Sequence, residues 1–418
     1  MKTLLPHQLD IVRDDKEKVG LWLGTGVGKT LIALSLARGK TLVIAPKTQK
    51  EDKNWEKELG EAGIALDLTV ISKETFRRDW EKLPAYETLI LDEADQCLGA
   101  TPNVRYVRRQ PVPKTSQIFE AVRSYITRHK PKRIYLATAT ITRTPMCVWA
   151  AAIVLGYSWD WYKFRDVFYV KLPMPGREVW VPRKDRETKE RLANLIKKIG
   201  YVGRLEDYSD VPDQTYKTIF VDTTTRQDVR IQQLELEYPD PIALIGKIHQ
   251  VENGVLSGNE YMSPEMLPCA KNDKLEDLMI EFPRMVVFAK YTMQIHEIEK
   301  IATKLNKTVF VLDGGTKNRG EMIKTAQSCD DYVFICQAQV SAGWELPDCP
   351  VMVFASMTYS AADRIQAEGR IQRQKNIKKN LYIDLVVRGG VDEAVYDCIV
   401  DKKDFNEMVY ARKLYPNS

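Results

Sequence analysis

"VGLWLGTGVGKTLIALSLARG", residues 19–39, reads as a strand, a tight loop and a helix in that order. "VGLWL" is an almost unbroken apolar run, which suits a strand buried on both faces of a parallel sheet. "KTLIALSLARG" reads as a helix that stops at Gly39, a C-cap residue. Between them lies "GTGVGKT", Gly24 to Thr30. Glycines let backbone N–H groups turn inward, and a helix N-terminus attracts anions, so the segment reads as a phosphate cradle. Gly24, Thr25, Gly26, Val27 and Gly28 supply the loop. Lys29 is placed to reach β and γ phosphates, and the Thr30 hydroxyl to hold Mg²⁺. The full pattern has Gly at position 23, where this chain has Leu23.

Runs of the same kind recur on both sides of a less regular middle. They start at Thr41, Leu68, Glu87 and Arg133, and again at Met285, Thr308, Tyr332, Val351 and Leu381. Two open α/β sheets are therefore expected, with a boundary near residue 210: one lobe over residues 1–210 and a second over 211–418. The middle holds "TYKTIFVDTT" from Thr215, which reads as a strand. "KLPMPGREVWVPRKDRE" from Lys171 is Pro-rich and charged, and "NGVLSGNEYMSPEMLPCAKND" from Asn253 is loop-like. The 418 residues exceed one ordinary core. Seven scattered cysteines with no C-x-x-C pair point to reduced thiols and a cytoplasmic setting, not to zinc or disulfides. The uncharged stretch from Thr144 to Trp159 is too short to span a bilayer and reads as a buried helix. No membrane partner is expected. A net charge of +5 means that any nucleic-acid surface must come from local clustering.

Three further segments carry chemistry. "ETLILDEAD" brings Asp92 and Glu93 to a strand end, where Asp92 suits Mg²⁺ and Glu93 suits the attacking water. "LLPHQLD" starts a helix at Pro6, and the Gln8 amide can both donate to and accept from an adenine edge. "QAEGRIQRQ", residues 366–374, sets Arg370 and Arg373 three apart, on one face if the segment is helical. Arg matches phosphate bidentately. Residues 101–133 hold nine Lys or Arg and one acid, Glu120. Arg105, Arg108 and Arg109 sit around Tyr106 there, a pattern that suits a phosphate track. A solvated basic loop is the plainer alternative.

With "APKTQ" (45–49), "ATATI" (137–141) and "QAQVSAGWEL" (337–346) at strand ends, this order of segments resembles superfamily two helicases and translocases. "LLPHQ", "NWEKEL" from Asn54, "VVFAKYT" from Val286, "LDGGTKNR" from Leu312 and "RGGVDEAVYDCIVDKKDF" from Arg388 make it most similar to the Swi/Snf-type group, especially its small bacteriophage members. The resemblance implies two RecA-like lobes, each an open, mostly parallel sheet with helices on both faces and an ATP cleft between them. It implies ATP and Mg²⁺ as cofactors and DNA as partner, single-stranded, forked or branched, acted on by a monomer. It makes Arg370 and Arg373 arginine fingers and puts Gln366 in the same cleft. It adds Lys47, Thr138, Thr140, Lys290 and Ser341 as DNA contacts, mainly to the backbone. Two positions depart from the group: Asp95 stands where it usually has His, and Ile141 where Pro usually follows the third motif. A DEAD-box RNA helicase and a non-translocating, ATP-switched DNA-binding subunit remain as alternatives.

Overall fold

The apolar runs become parallel strands. In the computed structural model the chain divides into two units, Met1–Asp210 and Val211–Ser418. Residues 2–24, 26–107, 109–174, 177–203, 207–208, 214–256, 258, 264–316, 318–338, 344–371, 380–401, 404–405, 407 and 410 are described. Thr25, Arg108, Ser341 and Arg373 lie outside the described residues.

The strands of the first unit are β1 (Lys18–Leu23), β2 (Lys40–Ala45), β3 (Asp67–Ser72), β4 (Thr88–Asp92), β5 (Ala100–Val107), β6 (Gln110–Thr115), β7 (Arg133–Ala137), β8 (Tyr169–Met174), β9 (Arg177–Pro182) and β10 (Gly200–Gly203). Its helices are α1 (Pro6–Asp14), α2 (Lys29–Leu36), α3 (Lys47–Glu51), α4 (Asn54–Ala62), α5 (Lys73–Asp79), α6 (Gln117–His129), α7 (Pro145–Val154), α8 (Trp161–Phe168) and α9 (Arg186–Ile199). Six strands form one sheet in the order β10-β1-β7-β4-β2-β3, with every pair parallel. This order puts the loops after β1, β7 and β4 side by side at the carboxyl edge, where open α/β sheets bind ligands. Leu89, Leu91, Ile134 and Leu136 face a core built with α6, α7 and α8, so one face of the sheet is covered by that layer.

One expectation shifts here. Helix α2 ends at Leu36 with Ala37 as its extended C-cap, so Gly39 is not the cap. Gly39 instead makes the turn into β2 at φ +58°, where a Cβ would meet the Glu87 carboxylate at 2.1 Å. The Pro-rich, charged stretch from Lys171 forms the antiparallel hairpin β8–β9, and β5 pairs with β6 in a second hairpin. The buried helix expected after Thr144 is α7, capped by the Thr144 hydroxyl.

The second unit holds β11 (Thr215–Val221), β12 (Val255–Leu256), β13 (Glu265–Met266), β14 (Arg284–Ala289), β15 (Thr308–Leu312), β16 (Tyr332–Gln337), β17 (Val351–Phe354) and β18 (Leu381–Val387). Its helices are α10 (Thr225–Glu237), α11 (Pro241–Glu252), α12 (Ala270–Glu281), α13 (Thr292–Lys304), α14 (Arg319–Gln327), α15 (Ala361–Glu368) and α16 (Val391–Val400). The sheet order is β11-β18-β17-β14-β16-β15, again all parallel. Alternate residues point to opposite faces of a strand. Val286, Phe288, Phe334, Met352 and Phe354 accordingly enter one core, while Met285, Val287, Val333, Ile335 and Val353 enter another. Burial on both faces explains why these strands read as continuous apolar runs. Two six-stranded parallel sheets with their helices give the RecA-like lobe architecture twice. Among the described residues no helix is long and apolar enough to cross a membrane.

Candidate active site

The phosphate loop leaves β1 at Leu23, tied by the Gly24 N–H to Gly203 O at 2.8 Å. Gly28 has φ +89°, a left-handed conformation, and is the N-cap of α2 without any side-chain cap. The first-turn N–H groups of α2 therefore have no capping oxygen from the side chain before them, as an anion site requires. Lys29 lies in the loop, its Nζ donating to Leu23 O at 2.9 Å and Gly24 O at 3.0 Å. Thr30 is half-buried beside it.

Gln8 braces the loop from below. Its Nε2 donates to Val27 O at 2.9 Å, and its Oε1 accepts the Leu5 N–H at 2.9 Å, closing the first turn of α1. A Cβ on Gly28 would come within 2.3 Å of the Gln8 amide, so that position accommodates only glycine while Gln8 stays in place. An amide has two donors and two lone pairs, so one of each is committed internally. His7 adds a contact to Val27 O at 3.3 Å.

Asp92 ends β4 and is half-buried as a residue. Its Oδ2 accepts the Trp55 indole N–H at 3.0 Å, and its Oδ1 accepts the Glu93 backbone N–H at 3.0 Å. Burial pushes the carboxyl up. The Trp55 N–H, the Lys29 charge and the Glu93 N–H oppose that without cancelling it. Trp55 stands in "NWEKEL"; its link to Asp92 spans 37 positions and has no local signature. Glu93 adopts φ 45°, left-handed for a residue with a Cβ, at a cost of roughly 1–2 kcal/mol. Such strain gathers where a side chain must be aimed.

Thr138 and Thr140 differ from their expected place on a nucleic-acid track. Both are buried. The Thr138 hydroxyl donates to Asp95 Oδ1 at 2.7 Å and accepts the Thr140 N–H at 3.1 Å. With their hydroxyls turned inward, they link the loop after β7 to the acidic box after β4. Lys47 is the opposite case: its side chain is 71% exposed and lies 3.6 Å from Glu51, one turn along α3. Arg105 and Arg109 are exposed on the β5–β6 hairpin, Arg109 at its turn with φ 65°.

In the second unit, Gln366 is buried on α15. That helix ends at Glu368, and Arg370 follows in a turn; Arg373, and with it the pairing of the two arginines, lies outside the described residues. Gly369 is the C-cap, still right-handed at φ −64°: its N–H bonds back to Ile365 O, and Arg370 N to Ala367 O. Arg370 Nη1 donates to Trp344 O at 3.3 Å. Lys290 follows β14 with its Nζ 3.3 Å from the centre of the Tyr359 ring. Burial pushes its ammonium down to about 8.

Behind Lys290 lies a buried polar network that no sequence pattern announced. Lys271 Nζ donates to Asn253 Oδ1 at 2.7 Å, Ala355 O at 2.9 Å and Asp392 Oδ2 at 2.7 Å. Asp392 also accepts from His249 Nε2 at 3.1 Å, and His249 Nδ1 pairs with the Tyr291 hydroxyl at 2.9 Å. Burial pushes Asp392 up, but Lys271 and His249 outweigh it and hold the carboxyl well below the usual range. The network ties α11, α12 and α16 to the strand end that presents Lys290.

No curated protein matches the chain. Residues 270–375 match the family described as the helicase conserved C-terminal domain. The phosphate loop and acidic box lie outside that span, while Lys290, Gln366 and Arg370 lie within it. Together with the two parallel sheets, the match supports a member of the helicase superfamily with a helicase-type NTPase activity.

Proposed function

We propose that the chain is an ATP-dependent DNA translocase or helicase of the Swi/Snf type, with residues 1–210 as the ATP-binding lobe and 211–418 as the C-terminal lobe. The observation that carries this reading is the adjacency of β1, β7 and β4, which gathers Lys29, Asp92, Glu93 and the Thr138–Asp95 link at one sheet edge. The phosphates of ATP occupy the α2 N-terminus. Lys29 exchanges the Leu23 and Gly24 carbonyls for β and γ oxygens, which are stronger, charged acceptors. Glu93 orients the attacking water and takes its proton. Gln366, Arg370 and Arg373 act on the nucleotide by resemblance, the arginines stabilising charge as the γ-phosphoryl bond breaks.

Thr30 and Asp92 suit Mg²⁺, which needs only one or two protein oxygens when phosphates and water supply the rest. The Asp92 carboxylate at the end of β4, held by the Trp55 and Glu93 N–H groups at 3.0 Å, is the observation that fits such an ion. When bound there, the ion neutralises phosphate charge. Trp55 holds the carboxylate in one orientation for it.

Arg105, Arg108, Arg109, Lys47, Lys290 and Ser341 are assigned to the DNA backbone, and movement along forked or branched DNA follows from the resemblance. ATP turnover measured with single-stranded DNA, duplex, fork, four-way junction and RNA tests this. Stimulation by DNA is expected. Stimulation by RNA alone would transfer the assignment to an RNA helicase, and nucleotide-dependent DNA binding without turnover would make the chain a switch.

A further inference from the structure

An exposed aromatic pair that the ATP site does not use stands at the β5–β6 hairpin, one ring on the hairpin and one on α8. Tyr106 is 72% exposed, among the most open large apolar side chains of the described residues. It lies directly across the hairpin from Pro111. The Pro111 carbonyl in turn accepts the Tyr162 hydroxyl at 2.9 Å, from α8. Tyr162 is itself 38% exposed. One ring reaches Pro111 by strand register and the other by a hydrogen bond, so two open tyrosines flank a single residue.

The pair is built on a rigid base. Val104 and Tyr106 share a hairpin face, and Val104 packs on the core of the first unit, so Tyr106 continues that face beyond the core's edge. Tyr162 meets Trp161 edge-on at 4.9 Å. The Arg165 guanidinium lies 5.5 Å from the Tyr162 ring centre and 4.2 Å from that of Trp180 on β9. These contacts fix Tyr162 while leaving part of its ring open.

The surroundings select the occupant. Residues 100–115 contain Arg105, Arg108, Arg109 and Lys114 and no acid. That charge complements a polyanion. Pro111 and Pro113 remove two donors from β6, so the hairpin is a poor template for an added peptide strand. In a duplex the base faces are covered by their neighbours, whereas unpaired bases stack readily on aromatic rings. We propose that Tyr106 and Tyr162 form a stacking ledge for bases of a single-stranded nucleic acid whose phosphates meet Arg109 at the hairpin turn. This rests on the nucleic-acid reading above and narrows it to unpaired strands at this hairpin.

The test uses the full chain and a fluorescent oligothymidylate, a blunt DNA duplex, the matching oligouridylate and polyglutamate. Tyr106→Ala is expected to weaken oligothymidylate binding roughly 5- to 150-fold, the equivalent of one lost stacked base. Tyr106→Phe should bind as the parent does. Duplex affinity, the salt slope on the duplex and turnover without nucleic acid should stay at parent values. A 2-aminopurine placed in the oligonucleotide should be quenched on binding to the parent and brighter on Tyr106→Ala. Comparison of the thymidylate and uridylate arms tells DNA from RNA, and tighter binding of either supports the ledge. Equal loss of duplex and single-strand binding, parent affinity in Tyr106→Ala, or polyglutamate binding as tight as oligothymidylate overturns it. A parent that binds no nucleic acid overturns the nucleic-acid reading itself, a result distinct from failure of the ledge alone.

Discussion

Replacing Lys271 by Met should cost about 3–5 kcal/mol of the second unit's stability, the usual effect of stranding one member of a buried ion pair. The structure explains why the value should be large. Lys271 is fully buried, all three of its ammonium protons have partners at 2.7–2.9 Å, and Met leaves Asp392 as an uncompensated buried carboxylate. A domain has only about 5–15 kcal/mol in total, so the variant should sit near its unfolding threshold. The same network gives a pH dependence. Burial pushes the His249 imidazole from 6.5 down to about 4, against the pull of Asp392. Between those values the unfolded chain binds the extra proton, so the stability supplied by the neutral ring is complete above pH 6.5 and is lost as pH falls towards 4. From pH 7 to pH 5 the loss is about 2 kcal/mol. Burial pushes Glu252 up to about 8, which gives it the opposite sign over that range. The His249 contribution is therefore read as the difference between the parent and His249→Gln. Urea unfolding followed by the ¹⁹F signal of 5-fluorotryptophan at Trp344, the one tryptophan after residue 210 and buried against Phe288 and Phe334, reports this unit alone. A Lys271→Met cost below about 1 kcal/mol, on a scale where a buried pair is worth several times that, refutes the reasoning; so does a parent whose pH 7-to-5 change matches that of His249→Gln.

Trp55→Phe keeps a ring but removes a hydrogen bond to a charged acceptor worth about 1.5–3 kcal/mol. The Mg²⁺ concentration for half-maximal turnover should rise while circular dichroism is unchanged, and an unmoved Mg²⁺ midpoint would sink the positioning role. Neutralising Arg105, Arg108 and Arg109 together should weaken DNA binding regardless of sequence and flatten the salt slope by roughly 0.7–0.9 log unit per lost phosphate contact. An unchanged slope returns the hairpin to a solvated surface. Arg373→Ala should retain ATP affinity and lose hydrolysis, and Lys should not restore it, because an ammonium lacks the planar fork. Hydrolysis at the parent rate removes the finger assignment.

The parts legible in the sequence were those coded locally. The phosphate loop joins a strand to a helix between Lys18 and Leu36 through left-handed Gly26 and Gly28, and each piece has its own signal. The sheet strands were legible because burial on both faces leaves unbroken apolar runs. The hairpins β5–β6 and β8–β9 were not, since their prolines and charges argue against strands, and packing on α8 and the core decides them. Thr138 shows a different gap. A hydroxyl at a strand end looks alike whether it faces solvent or Asp95, and only the β4–β7 pairing makes the difference. The helix that enters "QAEGRIQRQ" ends at Glu368, an end that the arginine spacing does not report. Lys271 and Asp392 are 121 positions apart, and no periodicity reports such a pair.

The phosphate-loop assignment is tested most directly by ATP turnover of Lys29→Ala beside the parent, with single-stranded DNA present and absent. Lys29 lies at the loop and donates to the Leu23 and Gly24 carbonyls, not into a core, so the fold should survive its loss. The parent should hydrolyse ATP faster with DNA, and Lys29→Ala should show no turnover in either condition while unfolding at the parent's urea midpoint. A well-folded Lys29→Ala protein that hydrolyses ATP at the parent rate contradicts the assignment of this loop to the nucleotide.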